Sequence, residues 1–363
     1  MRDLRTGEKK MVTSPRGEPL LEHREFPVAH WRVTPASGSA HSEVILVHGL
    51  GEHAGRMMPV ARQLASLGYN CRVPDLPGHG GCGGSAHLAI VESYLRGKDA
   101  TEILDRIQSF PEHQQQEADE DNSWQLAALY RTSFEQIIET VQKLATWSVI
   151  DGNDADRPHF LWGHSMGGLA CFHAACRIDR DFTSAPTGLI LSAPAFAPPP
   201  QDNDLLLKLV SAQALLLSSF TVLKPIAALQ RLCLRILSLE GDGRWASKHV
   251  SNAPAETLLH SKDPYHNHRI PLCFAARLLP AMAAARTRAR NLRTPVFAFA
   301  PGYDFIVNST GTRTVAACLP ISIDPLRPHR LEIFEDMQSH DLARSWCGNP
   351  SLTRIHQWMQ GRG

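Results

Sequence analysis

Residues 160–170 read Phe-Leu-Trp-Gly-His-Ser-Met-Gly-Gly-Leu-Ala, and they contain the pattern Gly-x-Ser-x-Gly centred on Ser165. The apolar run before the pattern is typical of a buried strand, and the small residues after it are compatible with a helix. Between strand and helix the chain must turn so tightly that the residues flanking the serine cannot carry a β-carbon, a condition that Gly163 and Gly167 meet. The pattern also occurs by chance in loops, but this context favours Ser165 as an exposed nucleophile.

A serine hydroxyl needs a base to take its proton, and the base needs a carboxylate to orient it. In a strand–turn–helix architecture of this kind the partners follow in the order Ser, Asp, His, each beyond the carboxyl end of a strand. Asp304 follows the apolar run 296–300, and His340 follows the run 330–334. The alternatives are an ordinary turn aspartate and a surface histidine. The nearest rival base, His329, precedes the last strand and is therefore expected at the wrong end of the sheet.

The oxyanion formed during acyl transfer needs two N–H donors. Met166, at the start of the predicted helix, supplies one. The second is expected from the loop at residues 48–51, His-Gly-Leu-Gly, and most simply from Leu50. A glycine-rich loop after a strand can also bind phosphate, but this one has neither G-x-G-x-x-G nor a Walker lysine. His48 and His53 lack ligands at metal-site spacing, so structural roles are favoured for them, and no metal or organic cofactor is expected.

Strand and helix signals alternate along most of the chain. Strands are predicted at 43–47, 70–73, 188–193, 296–300 and 330–334, and helices at 58–67, 310–318 and 352–359. An extended segment at 24–35 comes before them. Strand, helix and strand at this spacing form βαβ units, so the sequence predicts an α/β fold with a mainly parallel sheet.

The α/β rhythm stops between residues 195 and 291, which are predicted to form a helical cap inserted into a core of 23–194 and 292–363. Residues 1–22 are predicted to be a polar N-terminal extension. Residues 81–156 show helical periodicity at 94–110 and 124–147. Between these segments, the acidic and glutamine-rich stretch 111–123 is predicted to be a mobile, solvated loop.

The composition is that of a soluble globular protein, with 43% hydrophobic and 20% charged residues among 363. A formal net charge of +1 argues against a nucleic-acid partner. The polar N-terminus lacks the apolar core of a signal peptide. The eight cysteines are scattered and include no C-x-x-C pair, which favours reduced thiols. A cytoplasmic setting follows, and no protein partner is predicted.

The cap segment Leu205–Leu239 is rich in leucine and contains no acidic residue. Its longest charge-free run is 15 residues, short of the roughly 20 needed to cross a bilayer. The apolar side chains either pack as a fully buried core helix, or part of them face an acyl tunnel and a lipid interface. We favour a mixture, in which Leu215, Leu216 and Phe220 bind substrate and the cap makes peripheral contact with the inner face of a membrane.

Four motifs together resemble those of the monoacylglycerol lipase and lysophospholipase group of α/β-hydrolases. They are His48-Gly49-x-Gly51-Glu52-His53-x-Gly55-Arg56, Gly78-His79-Gly80, Gly163-His164-Ser165-Met166-Gly167-Gly168 and Ser261-Lys262-Asp263-Pro264. The first is far more specific than the serine turn, which many hydrolases share. The similarity extends from about residue 26 to the C-terminus.

This resemblance implies an α/β-hydrolase fold, with a mostly parallel eight-stranded sheet, helices on both faces and an inserted helical cap. It implies Ser165 as nucleophile, Asp304 as acid and His340 as base, with Leu50 and Met166 as backbone donors. The family's cap admits a single acyl chain from a membrane surface. This chain departs from the family in a longer segment between Gly80 and Gly163 and in the approach to the histidine. That approach lacks the usual glycine and aromatic residue and is one residue longer.

The sequence therefore predicts a serine carboxylester hydrolase that cleaves a monoacyl lipid, either a monoacylglycerol or a lysophospholipid. One alternative is a peptidase of the serine aminopeptidase or proline iminopeptidase type. A pocket for a substrate amine would need acidic residues in the cap, and Leu205–Leu239 contains none, which favours a lipid substrate. Another is a non-catalytic protein that has kept the fold. Such proteins generally lose a residue of the triad, whereas all three candidates are present here in the expected order.

Overall fold

The computed structural model describes residues 10–12, 18–25, 27–81, 83–151, 158–179, 185–199, 240–242, 248–342 and 350–362. Within these ranges the chain forms one large sheet in the order β1-β2-β3-β5-β4-β6-β7-β10-β11 and a two-stranded antiparallel pair, β8 and β9. The strands are β1 (Lys10–Val12), β2 (Leu20–Arg24), β3 (His30–Thr34), β4 (Ser42–Val47), β5 (Tyr69–Pro74), β6 (His159–His164), β7 (Gly188–Ser192), β8 (Glu240–Asp242), β9 (Arg269–Pro271), β10 (Val296–Pro301) and β11 (Arg330–Phe334).

The helices of the described ranges lie mostly between these strands. They are a 3₁₀ turn (Ala54–Met57) and α1 (Met58–Ser66), α2 (Ser85–Arg96), α3 (Ala100–Gln108), α4 (Glu112–Leu129), α5 (Phe134–Asp151), α6 (Met166–Ile178), α7 (Pro254–Lys262), α8 (Leu272–Ala289), α9 (Ser309–Ala316) and α10 (Pro350–Met359). None of them is long and apolar enough to cross a membrane.

The sheet is parallel from β5 through β4, β6, β7 and β10 to β11, and antiparallel where β3, β2 and β1 extend it. The prediction of a mostly parallel α/β sheet is confirmed, with short β1 as a ninth strand at the edge. Side chains of β4 alternate between two apolar clusters because successive residues of a strand point to opposite faces. Helices α1, α2, α3 and α10 pack in one cluster, and α5, α6, α8 and α9 in the other.

The prediction of a mobile loop at 111–123 is wrong, because most of this stretch belongs to the helix Glu112–Leu129. Glutamate, glutamine and alanine are strong helix formers, and they fill it. The helix has no clear apolar stripe, and polar contacts help to anchor it instead. The buried side chain of Gln125, for example, donates to the carbonyl of Gly80 (3.1 Å). The predicted helix 94–110 is in turn interrupted at Gly97, and Asp99 caps the start of α3.

Two predicted boundaries also differ from the structure. The extension 1–22 contains β1 and the start of β2, which pair with the main sheet. The cap 195–291 contains α8, whose residues Phe274, Leu278, Ala285 and Ala289 are buried in the cluster shared with α5 and α6. This helix belongs to the core because its apolar face completes that layer.

Candidate active site

The turn between β6 and α6 holds Ser165 in a strained conformation. Its φ of +52° and ψ of −119° are rare for a residue with a side chain. Two hydrogen bonds to the neighbouring strand region fix it: Ser165 N–H donates to Ser192 O (2.9 Å), and Ser165 O accepts from Ala195 N–H (3.0 Å). The backbone therefore fixes the direction of the serine side chain.

The glycines on either side of the serine are required by close backbone contacts. A β-carbon on Gly163 would lie 2.3 Å from the carbonyl oxygen of Gly167. A β-carbon on Gly167 would lie 2.4 Å from the oxygen of His48 and 2.5 Å from that of Val47. The turn thus packs backbone against backbone onto the end of β4, with no space for a methyl group.

Asp304 and His340 come together at the carboxyl end of the sheet. Nδ1 of His340 donates to Oδ2 of Asp304 over 2.6 Å, and both side chains are buried. The other oxygen of Asp304 accepts from the N–H groups of Ile306 (2.8 Å) and Val307 (3.1 Å). The carboxylate is held rigidly and keeps the proton on Nδ1 of the imidazole, which leaves Nε2 as its basic nitrogen.

The ring of His340 lies beside the serine turn. Its centroid is 4.8 Å from that of His164, the residue before Ser165. Burial acts to lower the pKa of His340, but the charge and hydrogen bond of Asp304 outweigh it, so the pKa is raised above 6.5. An imidazolium formed by taking up a proton is therefore stabilised at this position.

The longer loop before His340 is anchored by the chain near residue 250. Asp341 N–H donates to Val250 O (2.9 Å), and the hydroxyl of Ser339 donates to the same oxygen (3.0 Å). The departure from the family pattern therefore does not prevent the histidine from reaching Asp304. The rival His329 accepts from Val296 N–H (3.1 Å), at the opposite end of β10 from Asp304.

The loop after β4, residues 48–56, contains Leu50, which the sequence predicts to be an oxyanion donor, and it is named the oxyanion loop after that prediction. A β-carbon on Gly49 would lie 3.2 Å from Cβ of Ser165, so the loop runs directly past the serine. Gly49 N–H donates to Oε2 of Glu52 (2.8 Å) and Gly51 N–H to Nε2 of His79 (3.1 Å). Between them, the N–H of Leu50 meets no acceptor in the part of the chain that the structure describes.

Met166 is the first residue of α6, and the first N–H groups of a helix have no acceptor within it. Both donors predicted from the sequence are thus available next to Ser165. His48 helps to hold the loop: its Nδ1 donates to Gly49 O (2.8 Å) and its Nε2 accepts from Leu76 N–H (3.1 Å). Burial lowers the pKa of His48, which favours a neutral ring that serves the structure.

A buried network of charged groups ties the oxyanion loop to the segment after α7. Nε2 of His53 donates to Oδ2 of Asp263 (2.9 Å), and both side chains are fully buried. The hydroxyl of Tyr94 donates to the same carboxylate oxygen (2.5 Å) and accepts from Arg56 (2.8 Å). Burial alone would raise the pKa of Asp263, but His53, Arg56 and the Tyr94 hydroxyl together lower it.

Arg56 extends this network towards the segment that carries His340. Its guanidinium lies 3.7 Å from a carboxylate oxygen of Glu52 and 3.9 Å from one of Asp341, the residue after His340. Glu52, Arg56 and Asp263 stand in the motifs that carry the family resemblance, but the sequence does not show that they meet. Tyr94 has no motif to mark it.

The cap residues Leu215, Leu216 and Phe220 lie outside the described residues. Among the described residues, one group brings potential metal-ligand atoms within 4.8 Å of one another: His260, His266 and His268.

Comparisons with known proteins show which family and which fold this chain resembles. The chain matches the family model described as Hydrolase_4, serine aminopeptidase S33, over residues 38–118 and 127–327. It is 25% identical over 348 residues to the monoglyceride lipase of Rattus norvegicus, covering 95% of this chain and 90% of that protein. It is also 22% identical over 319 residues to an uncharacterised abhydrolase domain-containing protein of Dictyostelium discoideum. That match covers 88% of this chain and spans only 26% of the relative.

Among solved structures, a soluble variant of the monoglyceride lipase of Saccharomyces cerevisiae matches with a TM-score of 0.64 at 15% identity. The match covers 97% of this chain and 98% of the yeast chain, and it shows a shared fold. Because the family model spans most of the sequence, the chain belongs to the Hydrolase_4 (serine aminopeptidase, S33) family of α/β-hydrolases.

Proposed function

We propose that the protein is a serine carboxylester hydrolase that cleaves a monoacyl lipid, either a monoacylglycerol or a lysophospholipid. The observation that carries the proposal is the His340–Asp304 pair, bonded over 2.6 Å and lying against the residue before the strained Ser165. In this proposal Ser165 is the nucleophile, His340 the base and Asp304 the residue that orients it. The backbone N–H groups of Leu50 and Met166 form the oxyanion hole.

The reaction runs in two halves. Nε2 of His340 takes the proton of Ser165 as its oxygen attacks the ester carbonyl, and the oxyanion accepts hydrogen bonds from Leu50 and Met166. Collapse of this intermediate breaks the ester bond, and His340 returns the proton to the leaving alcohol. Water then attacks the acyl-enzyme as His340 takes a proton from it. The fatty acid departs, and the proton returns to Ser165.

A lipid substrate is supported by the resemblance of the motifs and by the rat relative, which is a monoglyceride lipase. The cap segment Leu205–Leu239 is rich in leucine and has no acidic residue, which suits a site for an acyl chain. We infer that Leu215, Leu216 and Phe220 contact the acyl chain and that the cap meets the membrane surface from which it comes.

The family description also names an aminopeptidase, which needs a carboxylate to bind the substrate ammonium. Two carboxylates near the oxyanion loop are already engaged within the protein. Glu52 accepts from Gly49 N–H and faces Arg56, while Asp263 accepts from His53. This arrangement favours the ester substrate.

A fluorophosphonate probe and a substrate panel test the proposal. The probe should label the wild-type protein and a Ser66→Ala control, whose serine is exposed on α1, but not Ser165→Ala. Turnover of a long-chain monoacylglycerol should fall by about 10⁵–10⁶ in Ser165→Ala. The panel adds lysophosphatidylcholine, a short-chain aryl ester and an aminoacyl arylamide. Labelling of Ser165→Ala would contradict the nucleophile, and an arylamide cleaved faster than the esters would contradict the substrate class.

The cap has its own test. Replacing Leu215 and Leu216 with aspartate should weaken binding to phospholipid vesicles and slow hydrolysis of long-chain esters more than of short ones, because only long chains need the apolar path. An equal loss on both chain lengths would count against a role for these residues in binding the acyl chain.

A further inference from the structure

Three histidines gather around the loop between α7 and β9. The potential ligand nitrogens of His260, His266 and His268 lie within 4.8 Å of one another. The ring centroids are 3.8 Å apart for His260 and His266, 4.5 Å for His266 and His268, and 5.9 Å for His260 and His268. The rings thus form one cluster within a short stretch of chain, since only seven residues lie between His260 and His268.

The cluster is shielded from solvent and holds an unsatisfied polar atom. His260 and His266 are buried, and His268 is half-buried. Nδ1 of His266 is buried without a hydrogen-bond partner among the residues that the structure describes. Because a buried polar atom without a partner is costly, such an atom among two other imidazoles indicates that a ligand belongs there.

The backbone that carries these histidines is fixed by the residues that lie between them in the sequence. Asp263 is held by the buried network described above, and its Oδ1 accepts from Tyr265 N–H (2.9 Å). Asn267 N–H donates to the carbonyl of Gly51 (2.7 Å) and its side chain accepts from Arg269 N–H (2.9 Å). The loop therefore presents the cluster without needing a ligand to fold it.

Three neutral imidazoles are a donor set for zinc-like ions and not for Ca²⁺ or Mg²⁺, which prefer oxygen. With Zn–N bonds of 2.0–2.1 Å, the nitrogens of a tetrahedral site lie about 3.3 Å apart. The potential ligand nitrogens lie within 4.8 Å of one another, so they would approach by up to about 1.5 Å to reach this spacing.

We propose that His260, His266 and His268 bind a divalent transition-metal ion of the zinc class, with water completing the coordination. The site is separate from Ser165 and adjoins the oxyanion loop through the Asn267–Gly51 hydrogen bond. The ion ties the end of α7 to the loop before β9 and takes no part in the acyl-transfer steps. Serine chemistry therefore remains in the metal-free protein, and metal binding is measured independently of turnover.

The test uses the full chain after treatment with a chelator. Titration with Zn²⁺ alone in a calorimeter should show one strong site per chain. Co²⁺ should give the intense visible absorption of a tetrahedral complex, without the charge-transfer band of a thiolate. At a hundredfold excess of free Zn²⁺ over its Kd, the Tm should rise by about 4 °C, and Ca²⁺ or Mg²⁺ should not change it.

Variants locate the site. His266→Asn and His268→Asn should each weaken Zn²⁺ binding by about 100-fold, while His113→Asn, an exposed histidine on α4, should leave it unchanged. Fluorophosphonate labelling reports whether each variant is folded. If His266→Asn does not fold, the Zn²⁺ affinity of His268→Asn, in which a half-buried residue is changed, tests the site. The proposal is overturned if wild type binds neither ion, if Co²⁺ shows a thiolate band, or if folded His268→Asn keeps full affinity.

Discussion

The serine turn and the oxyanion loop lie on either side of the ester carbonyl in the proposed mechanism, and they are held by different means. The turn is fixed by backbone hydrogen bonds to the next strand and by glycines that touch neighbouring carbonyls. The oxyanion loop is fixed by buried charged and polar side chains, including Glu52, His53 and Arg56. Their partners include Asp263, 210 residues further along the chain from His53.

This difference has a consequence for how each region fails. Steric contacts in the turn tolerate no added atoms but do not respond to charge. The network behind the oxyanion loop depends on every buried charge keeping its partner. The two regions can therefore be disturbed separately.

The largest effect on stability is expected from Asp263→Asn. The change leaves Arg56 less compensated and His53 without its anionic partner, and breaking a buried pair in this way costs about 3–5 kcal/mol of unfolding free energy. Urea denaturation measures it. The matched control is Glu135→Gln, which removes a pair with Arg177 at the surface and should cost about 0.5 kcal/mol.

A loss in Asp263→Asn no greater than that in the control would show that the network contributes little to stability. The comparison between a charge-held loop and a sterically held turn would then fail.

A smaller effect is expected from Gly167→Ala in the turn. The new methyl group would meet the carbonyl oxygens of His48 and Val47, so the unfolding free energy should fall by about 1–3 kcal/mol. A shift of Ser165 by about 1 Å should lower turnover by about 100-fold. The matched variant is Gly168→Ala, one residue further along the same helix. Its methyl group would meet Cβ of Pro194 at 3.0 Å and the carbonyl oxygen of Gly163 at 3.1 Å, so a smaller loss is expected there. Equal losses in the two variants would contradict a steric origin.

Features that depend on neighbours in sequence were predictable. The buried strands were visible as apolar runs, and the serine turn followed from its glycines. Asp304 and His340 followed from a rule of order: partners of the nucleophile come after the carboxyl ends of later strands. The structure brings these two side chains into contact.

Features that depend on long-range pairs were not predictable. Nothing near His53 indicates that Asp263 is its partner, because a single sequence does not record contacts across 210 residues. Residues 112–123 of helix α4 were missed because their pattern lacks an apolar stripe and their polar residues serve as anchors, whereas the end of α4 lies within the predicted helix 124–147. One such anchor is Asp121, which accepts from the hydroxyl of Tyr265 (2.7 Å). The three-histidine cluster was missed because its spacing matches no common ligand motif.

The smallest expected effect is a loss of unfolding free energy at low pH. Acid should disturb the oxyanion loop before it disturbs the serine turn. Burial lowers the pKa of His79, whose ring accepts from Gly51 N–H, to about 3. The unfolded chain takes up a proton near the ordinary histidine pKa of 6.5, whereas the folded chain does not. The contribution of His79 to stability is therefore complete above pH 6.5 and is lost as the pH falls towards 3. The backbone contacts that hold the serine turn contain no titratable group.

His79→Gln separates this contribution from that of other buried histidines, because glutamine can accept from Gly51 N–H but does not titrate. Between pH 7 and pH 5 the unfolding free energy should fall less steeply in the variant than in the wild type. The two slopes should differ by about 1.4 kcal/mol per pH unit once His79 is fully protonated in the unfolded wild-type chain. Identical slopes in the two proteins would show that His79 does not titrate in this range on unfolding. Activity must be measured separately. The pKa of His340 is raised above 6.5, and below that pKa the protonated ring cannot act as a base. The value of kcat/KM therefore falls with pH even while the oxyanion loop keeps its structure. A loss of turnover that tracks unfolding in wild type, and is delayed in His79→Gln, would identify the oxyanion loop as the part of the site that acid releases first.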